Sequence, residues 1–333
     1  RLQMLYEETG QDDTANTLWS QFDERNASPD QLVARARSLY QEVRSTRGTS
    51  SLDSSTVIRS LRLLRRSLDQ APDHVPSLDL LGTIQFEVGA YEQAAATFEQ
   101  AIEYDPRSVE RWEQTAAALL KSGQLNRTVN VAEEGLLLFP GRASLLRPLA
   151  RARLQLGEYN AALTRFRDAL DALDAESGTV EMRAALETGR ARALERLDQP
   201  GQAAAAYEAA LELDPNHPKA LRHYAFYLVE EKQSLNRALR LAERAVEAQP
   251  GHPEALDTLG WVQYKRGALT KAKGTLQKAI ATGDAPAIVY DHLGDVYRAL
   301  GNDTRAREYW EQTLDRAPER DSVREKLRSL PQS

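Results

Sequence analysis

The chain contains no cysteine, which removes a disulfide framework, a thiolate zinc site and a cysteine nucleophile together. Compartment stays open, because a cysteine-free chain suits an oxidising periplasm and is also tolerated in the cytosol. Long apolar runs are missing: no stretch approaches the roughly 18 to 20 residues of a membrane span. The β-branched aliphatics that strands favour are scarce, 15 Val and 5 Ile among 333 residues, and Phe, Trp and Tyr number only 6, 4 and 12. Neither sign of charge dominates. A net charge of -6, from 43 basic and 49 acidic side chains, offers nucleic acid no chain-wide electrostatic attraction. The opening RLQMLYEETGQDD has neither an initiating Met nor a basic-then-apolar leader pattern, so a mature or excised fragment is expected. Gly-rich phosphate loops are absent as well.

What the chain has in excess is Ala (48) and Leu (46), both strong helix formers, so an all-α fold is predicted. From about residue 75 onward, Pro and Gly return at intervals close to 34 residues, in YDPRS (104–108), FPGR (139–142), LDPNH (213–217), AQPGH (248–252) and RAPER (316–320). Within each unit a small residue recurs at positions 8 and 20, a bulky one near 24, and usually Ala at 27. Unit 75–108 carries Leu81, Gly82, Ala94, Phe98, Ala101 and Pro106. Unit 253–286 carries Leu256, Leu259, Gly260, Ala272, Leu276 and Ala279, with Asp284 where Pro is expected. The fullest unit, 287–320, has Tyr290, Leu293, Gly294, Tyr297, Ala306, Trp310 and Pro318.

Units 109–142, 143–176 and 184–217 are looser, keeping Trp112 and Pro140, then Leu149, Ala150, Ala162, Phe166 and Ala169, then Ala191, Ala203, Tyr207, Ala210 and Pro215. Unit 218–252 holds one extra residue between its helices, because Ala238, Ala245 and Pro250 each come one place late. This pattern resembles the tetratricopeptide repeat (TPR) family, whose motif has a large residue at position 4, Leu-Gly at 7 and 8, Tyr at 11, Ala at 20, Phe at 24, Ala at 27 and Pro at 32. The resemblance implies a right-handed α-solenoid of stacked helix-turn-helix hairpins.

The physical reason for the motif is packing. Small residues at 8 and 20 let two antiparallel helices interlock where they cross. Pro near 32 ends the second helix, and Pro76, Pro218 and Pro253 suit a first helical turn, where the missing N–H loses no bond. Each hairpin leaves an apolar face that only the next can cover, so the ends need caps.

Residues 1–29 read as the back half of a unit, with Gly10, Ala15, Trp19 and Phe22 in repeat positions, and 30–74 as a degenerate hairpin joined through RGTSSLDSS. SGTVEMR (177–183) is an insertion that either bends the array or prolongs the helix begun at Asn160. Pro148 falls at the sixth position of its helix, so that helix begins late or kinks. Val323, Leu327 and Leu330 are spaced as one face of a capping helix over 321–333.

No catalytic, cofactor or metal constellation stands out. His74, His217 and His252 occupy equivalent inter-repeat turns, which accounts for them without chemistry. Asn26, Asn126 and Asn302 head Asn-x-Ser/Thr triplets, for which chance is the better account given the abundance of these residues. The resemblance implies that the first helix of each hairpin lines an inner groove, with positions 2, 5, 6, 9, 12 and 13 facing outward. Those positions give Arg147, Arg151, Arg192 and Arg196, then Arg222, His223 and Phe226, then Trp261, Tyr264 and Lys265, then His292 and Arg298.

Arginine forks hold carboxylates and aromatic rings bury area at low entropic loss. The expected partner is therefore an acidic-hydrophobic segment of another protein, against the plainer reading that Trp261 and Phe226 pack on neighbouring helices. A non-enzymatic scaffold is the leading reading, and the regulatory array of a longer enzyme is the alternative. A carboxylate-clamp co-chaperone fits poorly, because the groove positions lack Asn. Arg exceeds Lys by 35 to 8, and the C-terminal repeats resemble those of bacterial TPR proteins, several of them in the cell envelope. Homodimerisation through the N-terminal face is left open.

Overall fold

The computed structural model describes residues 26–45, 54–176, 179–231 and 234–331. Most of the half-repeat expected over 1–29, including Gly10, Ala15, Trp19 and Phe22, lies outside them, as does most of the RGTSSLDSS connection. The described residues form seventeen α-helices and no strand. The chain divides into two compact units, Arg1–Leu156 and Gly157–Ser333.

In the first unit the helices are α1 (Pro29–Ser45), α2 (Ser54–Gln70), α3 (Val75–Glu87), α4 (Tyr91–Tyr104), α5 (Val109–Lys121), α6 (Leu125–Leu138) and α7 (Ala143–Gln155). In the second they are α8 (Tyr159–Glu176), α9 (Val180–Arg196), α10 (Pro200–Leu213), α11 (Pro218–Glu230), α12 (Leu235–Ala248), α13 (Pro253–Lys265), α14 (Leu269–Ile280), α15 (Ala287–Ala299), α16 (Asp303–Arg316) and α17 (Asp321–Arg328). Each unit is a stack of helix-turn-helix hairpins, the architecture of an α-solenoid. Within each unit the first helix of a hairpin, A, packs on its own partner B, and that B packs on the next A; successive A helices also touch at α1–α3, α5–α7 and from α9 through α15, whereas successive B helices stand farther apart.

The crossing of each hairpin explains why Gly recurs at position 8. A Cβ at Gly82 would stand 2.5 Å from the Phe98 ring, one at Gly294 2.5 Å from Trp310, and one at Gly260 2.6 Å from Leu276. Phe98, Leu276 and Trp310 are all buried, so the large residue of helix B occupies the volume that helix A vacates.

The turn between A and B helices needs a left-handed residue, which Gly adopts without penalty. Gly89, Gly123, Gly157, Gly267 and Gly301 all have φ between 77° and 84° there, and Asp198 takes the equivalent place at φ 55°. An L side chain in that region costs roughly 1–2 kcal/mol, less for Asp than for most. Asp198→Gly is therefore expected to stabilise the second unit by up to ~1 kcal/mol, read as a higher midpoint in urea.

Pro148 lies inside α7, which begins at Ala143, so a late start is ruled out. Helix α8 runs for 18 residues against 14 in α4 and α6, and α9 begins at Val180 with the Thr179 hydroxyl accepting from the Met182 amide at 3.2 Å. The last residues of SGTVEMR thus belong to the following helix rather than prolonging α8. His74, His217 and His252 are the N-cap residues of α3, α11 and α13. His217 Nδ1 accepts from the Ala220 amide at 3.2 Å, and burial lowers the pKa of this imidazole, in keeping with an acceptor nitrogen that carries no proton. At the C-terminal end Val323 and Leu330 of the α17 segment are buried with Ala306 and Trp310.

Candidate partner-binding surface

The A helices α9, α11, α13 and α15 of the second unit lie side by side, which brings the charged and aromatic residues of their inner positions together. Arg192 on α9 is exposed. Arg196 is drawn aside, donating to the Tyr159 hydroxyl at 2.6 Å with its guanidinium 5.0 Å from that ring.

On α11, Arg222 has 13% of its side chain exposed and pairs with Glu254 of α13. Burial, and then the Arg192 charge, lower the Arg222 pKa from its ordinary value. His223 is held well below the usual imidazole range by burial first and then by Arg192, Arg222 and Lys219, so it is neutral at pH 7.

The aromatic part is a continuous stack. Trp261 lies 4.0 Å from His292 and 5.1 Å from Tyr264, centroid to centroid, and Phe226 faces His292 at 6.5 Å. The Trp261 indole N–H donates to Glu230 at 3.0 Å, and Lys265 Nζ sits 4.5 Å from the indole ring. His292 Nδ1 and Asp257 Oδ1 share a hydrogen bond of 2.8 Å. Trp261 and His292 are 8% and 4% exposed. They therefore fill the layer between α13 and α15 rather than opening fully to solvent, because each ring is the other's packing partner. Phe226 and Tyr264 remain half-buried and Lys265 exposed. Arg298 is exposed and pairs with Asp303.

The surface is closed by the cap helix. Lys326 of α17 donates to Asp291 at 2.6 Å and to Asp295 at 2.8 Å, and Arg320 reaches Asp291 at 3.3 Å. Three links of one type now join neighbouring A-type helices: Arg222 to Glu254, Asp257 to His292, and Asp291 to Lys326. Behind them Tyr207, Tyr224 and Tyr227 stack in the core, and burial with a bond to Glu208 pushes the Tyr224 phenol up to about 12.

Arg147 and Arg151 fall on α7 in the first unit, both half-buried. That unit has an inner cleft of its own, which sequence reasoning missed. About 330 Å³ in volume, it crosses α1, α3 and α5 and is lined by Arg37, Gln41, Arg44, Thr83, Glu110 and Gln114 among others. Arg111 anchors it, with Nε 2.7 Å and Nη2 3.1 Å from the Asp79 carboxylate and Nη1 3.0 Å from Asp105. The degenerate first hairpin hid this cleft, since its A helix has no clear register in the sequence. The available signal was Asp79 at position 5 followed one unit later by Arg111 at position 3.

Hairpins of this length, with Gly at the A-helix crossing and Pro after helix B, are those of the tetratricopeptide repeat. Sequence models described as "Tetratricopeptide repeat" match residues 75–108, 184–227, 230–287 and 289–320. The chain is a tetratricopeptide-repeat protein, and such repeats are in general modules of protein–protein interaction, typically without enzymatic activity.

Among solved structures, a chain of the APC/C hetero-tetramer Cut9–Hcn1 is similar at 15% identity and TM-score 0.62 over 95% of this chain. This chain spans 58% of that one's length. The type IV pilus biogenesis factor PilW is similar at 20% identity and TM-score 0.53, over 66% of this chain and 98% of PilW. A TPR protein from Parabacteroides merdae ATCC 43184 is similar at 14% identity and TM-score 0.50, over 89% and 98%. These likenesses show the fold alone. No curated protein matches the chain.

Proposed function

We propose that the protein is a non-enzymatic scaffold that binds an acidic-hydrophobic segment of another protein on the A-helix face of its second unit. The observation that carries this reading is Arg192: an exposed guanidinium with no ion pair among the described residues, beside Arg222 and His223 on the next helix. A carboxylate fits there as a charge-assisted partner. Phe226, Tyr264 and the stem of Lys265 then offer apolar and cation–π contact farther along the same face.

The test is capture of partners from the native source with the wild-type chain, followed by the same capture with Arg192→Ala, Arg222→Ala and Trp261→Ala, each checked for helix content by circular dichroism. A loss of tenfold or more in affinity, about 1.4 kcal/mol or more, is expected for Arg192→Ala, which removes the exposed charge, and for Trp261→Ala, which removes the stacked ring that positions the half-buried Tyr264 beside it. Undiminished binding by all three variants would overturn the proposal. A narrower form places the protein in bacterial envelope assembly, supported by the absence of cysteine and the Arg-rich composition. Recovery of the native protein from cytosol alone would remove it.

A further inference from the structure

Where two B helices pack on the A helix between them but not on each other, the outer side of the stack opens into clefts. One of about 340 Å³ lies between α4 and α6 of the first unit. Its floor is apolar: Ile102 and Val131 are half-buried, and Trp112 is 6% exposed with its indole N–H already donated to the Pro106 carbonyl at 2.9 Å. Its rim is acidic, formed by Glu99 and Glu103 on α4 and Glu134 on α6. Glu99 is neutralised by Arg127, whereas Glu103 and Glu134 are exposed and pair with no cation among the described residues.

The stripe on α6 continues past the cleft. Arg127, Val131, Glu134 and Leu138 recur at helical spacing, so they share one face. Leu138 is 55% exposed and its neighbour Leu137 82%, and Tyr104 at the end of α4 is 47% exposed. A single exposed Leu needs no explanation, but large apolar side chains beside an apolar-floored cleft mark an interaction surface.

We propose that this outer cleft is a second protein-binding surface, and that its occupant is a basic amphipathic helix of a partner. Two parallel helices with a gap between them form a groove into which a third helix can lay its apolar side. Leucine-type side chains would seat on Ile102, Val131 and Trp112 and against Leu137 and Leu138. Lysine or arginine flanking them would meet Glu103 and Glu134. The free carboxylates disfavour an anionic membrane or a nucleic acid here, since both repel that rim. They also distinguish the surface from the inner face of the second unit, where Arg192 calls for the opposite charge. A chain with two such faces can hold two chemically different segments at once.

The test uses the full chain and a fluorescein-labelled helical peptide with leucines at i, i+3, i+4 and i+7 and lysines elsewhere, followed by fluorescence anisotropy. Binding is expected to weaken at least tenfold in Glu103→Lys/Glu134→Lys and in Leu137→Ser/Leu138→Ser. It should stay unchanged in Arg192→Ala, and be absent when the lysines of the peptide are replaced by glutamate. All the altered side chains are exposed, so melting temperatures should stay within a few degrees of wild type. Equal binding by both double variants would overturn the proposal. So would a dimer in light scattering that Leu137→Ser/Leu138→Ser dissolves, because a second copy would then be the occupant. Neither result bears on the inner face, whose own variants are separate.

Discussion

Phe98→Ala is expected to lower the unfolding free energy of the first unit by about 3–5 kcal/mol, the usual loss for emptying a buried aromatic site. Phe98 has no exposed surface and packs with Ala94, Ala95, Ala118 and Leu119. The cavity cannot collapse easily, because the opposing residue, Gly82, has no side chain to fill it. The reciprocal change is the sharper test. Gly82→Ala gains about 1 kcal/mol of intrinsic helix propensity, so an exposed helical site would be stabilised by it. Here the new methyl would stand 2.5–2.8 Å from three atoms of the Phe98 ring.

Overpacking of that kind costs about 1–3 kcal/mol, so Gly82→Ala should be net destabilising. Gly82→Ala/Phe98→Leu should recover part of the loss by making room. Urea titration followed by circular dichroism reads the total, and hydrogen exchange should localise it to α3 through α5, since repeat stability is a sum of neighbour interfaces. A stabilised Gly82→Ala variant would show that the crossing is looser than described.

Lys326→Met should detach the cap. The Lys326 ammonium bonds to Asp291 and Asp295, whose side chains are only 7% and 15% exposed. Removing one partner of a buried ionic group costs about 3–5 kcal/mol, and the lower end applies because Lys326 is itself 31% exposed. The loss should depend on pH. Burial raises the pKa of Asp295 above that of an unfolded Asp, with the Lys326 bonds pulling the other way.

A carboxyl with a raised folded-state pKa binds its proton more tightly when folded, so stability from this group is present below about pH 3.8 and declines as pH rises through the folded value. Without Lys326, Asp291 keeps Arg320 and Asp295 keeps the Trp310 indole N–H at 3.2 Å, but neither carboxyl has the ammonium that links them. The variant's deficit should therefore be largest at pH 7–8 and shrink as pH falls toward 4. Burial works to lower the Lys326 pKa, but the bonds to Asp291 and Asp295 and their charges together outweigh it and leave the pKa raised, so in the wild type its contribution persists until pH climbs past the usual lysine range. Thermal melts of both proteins between pH 4 and 8, with Trp310 fluorescence as the local probe, check this. A deficit constant across that range would mean that α17 is held by Val323 and Leu330 alone. Lys326→Arg should restore much of the stability.

Most of the hairpin structure was legible in advance. Gly82, Gly260 and Gly294 facing Phe98, Leu276 and Trp310 follow from a local repeat in which small and large residues alternate at fixed positions. The Pro at the start of α11 and α13 and the extra residue before α12 are equally local, since three residues join α3 to α4 and four join α11 to α12. The candidate surface was legible only as a set of residue types. Arg192, Phe226 and Lys265 keep open surface, yet Trp261 and His292 are buried in each other's company. Arg196 and Arg298 are taken up by Tyr159 and Asp303. Nothing in the spacing of an arginine on one helix tells whether a carboxylate will arrive beside it from the next.

The amino-acid sequence by itself determined the class of protein, the A and B helices of the later hairpins and the crossing at which each hairpin locks. Those features depend on periodicity within about 34 residues, and periodicity is written along the chain. Only the tertiary structure decided which inner-face charges are paired, which rings are covered and where the outer clefts open. The links Arg222–Glu254, Asp257–His292 and Asp291–Lys326 join residues 32 to 35 apart. They form only because stacking sets one A helix against the next. The cleft above Trp112 depends on stacking too, since α4 and α6 both pack on α5 and not on each other, which leaves Trp112 of α5 as the floor between them.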